Sequence, residues 1–168
     1  MKDKRVWLAL AVLLIVAAVL VKVIFFPVSE NQRINNMLYE VAAALQDKST
    51  SAVAEYLTDD FLAHPKRDKE TVITYLKRFF FQVRDLKVEI ELIKHEIDKL
   101  PKDAKKTRVI VIVKVTGTIN KQKFQAFGGQ GADTVVLEVK KIDGKWLISL
   151  LKYLDTSDPG RAFEQLFK

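Results

Sequence analysis

The chain has 168 residues, and its first 28 read differently from the rest. What remains is roughly 140 residues, one domain's worth and enough to bury a core of its own. The absence of cysteine excludes disulfides, thiol nucleophiles, cysteine-held metals and an acylated lipobox. Of the formal net charge of +7, the first 28 residues carry +3 and the remainder only +4. That is too little to mark a nucleic-acid face, and no nucleic-acid partner is expected.

From Val6 to Val21 every residue is apolar, and after Lys22 the run continues as Val23-Ile24-Phe25-Phe26. At 1.5 Å per residue the Val6–Phe26 stretch spans about 31 Å, the thickness of a bilayer's hydrocarbon core. Lys22 lies one turn from the far end, where its ammonium can snorkel to the headgroups. Trp7 and Phe25-Phe26 fall at the two interfaces. Lys2, Lys4 and Arg5 precede the run, so the amino terminus is expected in the cytoplasm and the rest across the membrane. No small-residue cleavage site follows Val21, so the segment reads as an uncleaved anchor. The expected organisation is a cytoplasmic stub at 1–5, an anchor at 6–28 and an extracytoplasmic domain at 29–168. The location is then an inner (plasma) membrane crossed once.

Pro27 ends the anchor, and Ser29 with Gln32 three residues on has the form of a capping box. Ile34, Met37, Leu38, Val41, Ala42 and Leu45 follow at helical spacing and make one apolar stripe. Asp47–Ser51 reads as a turn, Ala52–Leu57 as a short helix, and Thr58-Asp59-Asp60-Phe61 as the lead into a loop holding His64 and Pro65. Asp68 can cap a third helix, along which Val72, Leu76, Phe79, Phe80 and Val83 repeat the spacing.

From Leu86 the period changes to two. Leu86, Val88, Ile90 and Leu92 alternate with Lys87, Glu89 and Glu91, as in a strand with one wet face. Lys99–Lys106 is a polar loop. Val109–Val115 is a β-branched strand covered on both faces, and Phe124–Phe127 is a short one. Gly128, Gly129 and Gly131 read as a bulge or turn and not as a phosphate-cradling loop, because no helix signal follows them. Thr134–Lys141 and Lys145–Leu154 are strands joined by a tight turn at Asp143-Gly144. In the tail, Ala162, Phe163, Leu166 and Phe167 fall on one side of an amphipathic turn. Helices first and an antiparallel sheet after them predict an α+β fold.

Tyr56-Leu57-Thr58-Asp59-Asp60-Phe61 after the first helices, then Val136-Leu137-Glu138-Val139 running into Asp143-Gly144-Lys145-Trp146-Leu147-Ile148, is an order of elements that resembles the nuclear-transport-factor-2-like (SnoaL-like) superfamily. The resemblance covers about residues 31–155. It implies a cone of curved antiparallel sheet packed on about three helices, here on a membrane anchor. Its relatives include isomerases, dehydratases, small-molecule binders and protein-docking domains, so the fold leaves function open.

In such a cone an enzyme would turn polar groups into the mouth. Tyr39, Tyr56, Asp60, His64, Tyr75, His95 and Asp155 are the side chains of the right chemistry. Tyr39, Asp60 and His64 form the candidate catalytic set. The plainer reading makes Asp59 and Asp60 a helix end, His64 and His95 surface residues, and Trp146 core. Two histidines without spaced carboxylates offer no metal site, and no cofactor motif appears. The expected function is a non-catalytic binding or assembly module. It would dock a protein, a second copy of itself or an apolar ligand, with Phe163, Leu166 and Phe167 as contact residues. The alternative is an anchored isomerase-, dehydratase- or hydrolase-like enzyme using Tyr39, Asp60 and His64.

Overall fold

The computed structural model describes residues 28–64, 66–125 and 133–154. The anchor run 6–26, the glycine segment 128–131, Asp155 and the amphipathic tail 159–168 lie outside the described residues. Among those described, no helix is long and apolar enough to cross a membrane.

The Ser29 hydroxyl accepts a hydrogen bond from the Gln32 amide at 3.2 Å and starts helix α1, Glu30–Gln46. Its stripe buries Ile34, Met37, Leu38 and Ala42. Ser49 caps α2, Thr50–Glu55, which begins two residues earlier than its apolar content suggests. Strand β1, Leu57–Ala63, follows directly, then β2, Arg67–Asp68. Asp68 accepts from the Thr71 amide at 2.9 Å and caps α3, Lys69–Gln82. Four longer elements and one short one complete the chain: β3 Val83–His95, β4 Lys106–Ile119, β5 Gln122–Gln125, β6 Asp133–Ile142 and β7 Lys145–Leu154.

The strands form one sheet in the order β2-β1-β7-β6-β4-β3, with β5 paired to the end of β4 on the edge away from β3, past the end of β6. Two expectations are corrected here. The Thr58–Phe61 segment is strand, not helix end and loop. It pairs in parallel with β7, Leu57 opposite Ile148 and Ala63 opposite Leu151, so the sheet is mixed and not wholly antiparallel. The register shift between Leu57 and Leu62 hides this strand's period: Leu57 and Thr58 are both buried, Asp59 and Asp60 both exposed.

A second bulge corrects β3. Its alternation holds through Leu86, Val88 and Ile90, but the pairing shifts between Ile90 and Leu92. Leu92 is left half-exposed, and Ile93 packs in the core in its place. A one-residue shift exchanges the faces of every later side chain, so His95 points inward. It lies opposite Val109, whose side chain is fully buried.

The main core joins Ile34, Met37 and Leu38 of α1 to Phe61, Val109, Val111, Leu137, Val139, Trp146 and Ile148. A smaller cluster at the other end of α1 gathers Ala42, Phe80, Val83, Leu86 and Val88. There Phe79 meets Phe124 edge-on, with ring centroids 5.8 Å apart.

The β6–β7 turn is the tight hairpin the sequence predicts. Asp143 has φ 50° and Gly144 φ 79°, the positive pair of a two-residue turn whose twist matches the strands. A Cβ on Gly144 would meet nothing within 4 Å, so only backbone conformation resists substitution. Gly144→Val is expected to lower stability by about 1 kcal/mol or somewhat more. Thermal melts of the two proteins side by side give the value, and an unchanged midpoint would refute it.

Candidate functional site

The three candidate catalytic side chains do not converge. Tyr39 stands on the solvent side of α1, 55% exposed. Asp60 points outward from β1, whose Phe61 and Ala63 face the core, and His64, just past the strand's end, is exposed. The Asp60 carboxylate accepts from Lys140 Nζ of β6 at 2.6 Å, across the outer face of the intervening β7, and that bond holds its pKa below the usual carboxylate range. His64 is tied to the sheet by its backbone, its amide donating to the Leu151 carbonyl at 2.9 Å. Of the other polar candidates, Tyr75 is half-exposed with the Arg67 guanidinium 5.1 Å from its ring centre. Tyr56 donates to Glu40 at 3.0 Å, and burial with that neighbouring charge pushes its phenol up.

What the structure assembles instead is a polar edge along α1. Glu30, in the first turn, is 5% exposed, and its Oε2 accepts from Trp146 Nε1 and Lys141 Nζ, both at 2.8 Å. Burial pulls its pKa up, but the bonds from Lys141 and Trp146 and the charges of Lys141 and Arg33 outweigh that and hold it below the usual value. Asn31 donates from Nδ2 to the carbonyls of Ile97 and Asp98, and its Oδ1 accepts from the Leu100 amide at 3.1 Å. One turn on, Asn35 Oδ1 lies 2.7 Å from His95 Nε2. In the sequence the apolar stripe of this helix overshadows its polar flank. Asn31 and Asn35, four residues apart, are the signal that was there to find.

His95 is the candidate that the fold turns inward, against the expectation that it lies at the surface. With Asn35 Oδ1 accepting, Nε2 carries the proton and Nδ1 keeps its lone pair. Nδ1 is buried and has no hydrogen-bond partner, and the same holds for Oγ1 of Thr107, two residues along β4 from the partner of His95. Burial pushes the imidazole pKa down, only partly offset by Asp98. The folded state therefore resists protonation more than the unfolded one does. Its contribution to stability is complete above the ordinary histidine range and is lost as pH falls through the lowered value. Acidifying from pH 7 to 5 should destabilise the protein, and His95→Gln should remove part of that slope. Parallel slopes in the two proteins would refute it.

Among the described residues, no group of three or more histidines and carboxylates is placed to hold a metal ion. Asp155 and the tail residues Phe163, Leu166 and Phe167 lie outside the described residues.

No family model matches the chain, and no curated protein does. Solved structures do resemble it. A presumed scytalone dehydratase from Novosphingobium aromaticivorans superposes with a TM-score of 0.64 at 14% identity, over 76% of this chain and 84% of that one. A protein of unknown function from Mycobacterium tuberculosis gives 0.62 at 17% identity, over 78% and 80%. A presumed calcium/calmodulin-dependent protein kinase II association domain from Xanthomonas campestris gives 0.59 at 19% identity, over 76% and 89%. At these identities the likeness establishes the fold alone: a curved mixed sheet with a few helices, the nuclear-transport-factor-2-like cone.

Proposed function

We propose that this chain is a non-catalytic binding or assembly module, held at the membrane by residues 6–26 with the folded domain outside the cytoplasm. The observation that carries the reading is the separation of Tyr39 from Asp60 and His64. One stands on a helix's solvent side and the others on the outer face of a strand and just past its end, while Ile34, Phe61, Val109 and Val139 fill the space between α1 and the sheet. A general acid and base must reach one substrate together, and these cannot. The neighbour described as an association domain supports the reading, and the one described as a dehydratase is a reminder that the fold hosts catalysts too. The apolar run supports the anchor and the flanking Lys2, Lys4 and Arg5 its orientation.

The contact residues proposed for a protein partner or a second copy are Phe163, Leu166 and Phe167. Truncation after Asp158 tests this. If the tail binds in trans, the full chain associates in detergent solution, and the shortened chain keeps its melting temperature but does not associate. If it packs in cis, the melting temperature falls and the association stays, and the assignment of the tail as contact surface is wrong.

A second reading, an enzyme, draws support from His95 and Thr107 and not from Asp60 and His64. The unpartnered Nδ1 and Oγ1 are the inward polar atoms such a site would use. A folded His95→Gln variant that abolishes a cellular phenotype which tail truncation spares would favour it.

A further inference from the structure

Helix α1 begins close behind the apolar run. Its 17 residues span about 25 Å, and Val28 and Ser29 alone separate them from the apolar run and Pro27. Two segments distant in sequence are fastened to its first turn. The 96–105 loop is held by Asn31, through the Ile97 and Asp98 carbonyls and the Leu100 amide. The β6–β7 hairpin is held by Glu30, through Lys141 and Trp146, and Lys141 also donates to the Lys102 carbonyl at 3.1 Å. Loop, hairpin and helix start therefore form one end of the domain.

That end carries exposed aliphatic side chains. Five large aliphatic side chains are exposed among the described residues, and three of them are here: Val28 at 45%, Ile97 at 44% and Ile142 at 42%. Lysines stand among them, Lys99, Lys102 and Lys145, all exposed. Asp98, Asp103 and Asp143 nearly balance those charges, so attraction to anionic lipid cannot carry a contact by itself. Exposed aliphatic side chains on segments that also carry long basic stems, one of them two residues beyond a hydrophobic span, suit the boundary between headgroups and acyl chains.

We infer that this end of the domain docks on the bilayer, with Val28, Ile97 and Ile142 seated in the headgroup layer. The inference rests on the anchor reading above and adds a defined orientation. α1 stands off the membrane, and the far end of the domain is offered to solution. That far end carries Phe81, 93% exposed, on the last turn of α3. It lies near the C-terminal end of α1, where Lys48 donates to the Val83 carbonyl.

The chain has no cysteine, so a single introduced one takes a spin label alone. Full-length Ile97→Cys, Ile142→Cys and Phe81→Cys would be labelled and reconstituted in phosphatidylcholine–phosphatidylglycerol vesicles. Each is then exposed to oxygen, which partitions into lipid, and to a nickel chelate, which stays in water. Labels at 97 and 142 are expected to collide several-fold more with oxygen, relative to nickel, than the label at 81. Nickel access at 97 and 142 equal to that at 81, in protein that resists carbonate extraction, would overturn the docking and leave the anchor standing. Protein that washes off in carbonate would overturn both. Spin–spin broadening between chains, with both quenchers excluded, would overturn the docking by giving this face to a second copy.

Discussion

Phe61→Ala is expected to lower the stability of the domain by about 3–5 kcal/mol, the range for emptying a large aromatic site in a packed core. Phe61 is 2% exposed and sits between α1 and the β7 side of the sheet, in the cluster that holds Ile34, Val139 and Ile148. The neighbouring strand β7 is fixed on its other side by β6, so little can move in to fill the space. Urea unfolding of the purified chain in mild detergent measures the effect from the midpoint shift at constant slope. A cost below about 1 kcal/mol would mean that this segment is the surface loop its sequence suggests.

Glu30→Ala should cost about 3 kcal/mol, for a different reason. The carboxylate is the acceptor for two donors, and removing it leaves the Trp146 indole N–H without a partner and the Lys141 ammonium with the Lys102 carbonyl and the Trp146 ring face but no counter-charge. Trp146→Phe removes the indole donor along with its need and should cost less than Glu30→Ala. The pH dependence follows from the lowered pKa. Folding holds the Glu30 proton less tightly than the unfolded chain does at its ordinary 4.5, so the stabilisation is complete above that value. It is lost as pH falls through the lower folded value. Wild type should lose stability on acidification below about pH 4.5 more steeply than Glu30→Gln. If the two decline together, the carboxylate is not paired as described.

Much of this fold was legible because its elements obey local rules. The Ser29 and Asp68 caps, the stripe of α1 and the Asp143-Gly144 turn are each written within a few consecutive residues, and the structure has them where the sequence puts them. What was hidden is what bulges do. β1 and β3 both carry register shifts, and a shift breaks the period by which a strand is recognised while leaving the strand intact. This is why Thr58–Phe61 reads as a loop and why His95 reads as surface. The partners of the polar edge of α1 were illegible for another reason. Glu30 meets Trp146 across 116 positions of sequence and Asn35 meets His95 across 60, and no local pattern joins them. Tyr39, Asp60 and His64 have the chemistry of a catalytic set, and chemistry alone does not say which way a side chain points.

The central claim is that the domain works without the acid–base residues its fold could have used. One measurement addresses it most directly: complementation of cells lacking the native copy by a folded chain carrying Tyr39→Phe, Asp60→Asn and His64→Ala together. All three side chains are exposed, so the variant should fold. Full complementation, at wild-type protein levels in the membrane fraction, is the result expected of a binding or assembly module. Loss of function in that variant, with its level and melting temperature unchanged, would contradict the account and return the protein to the enzymes.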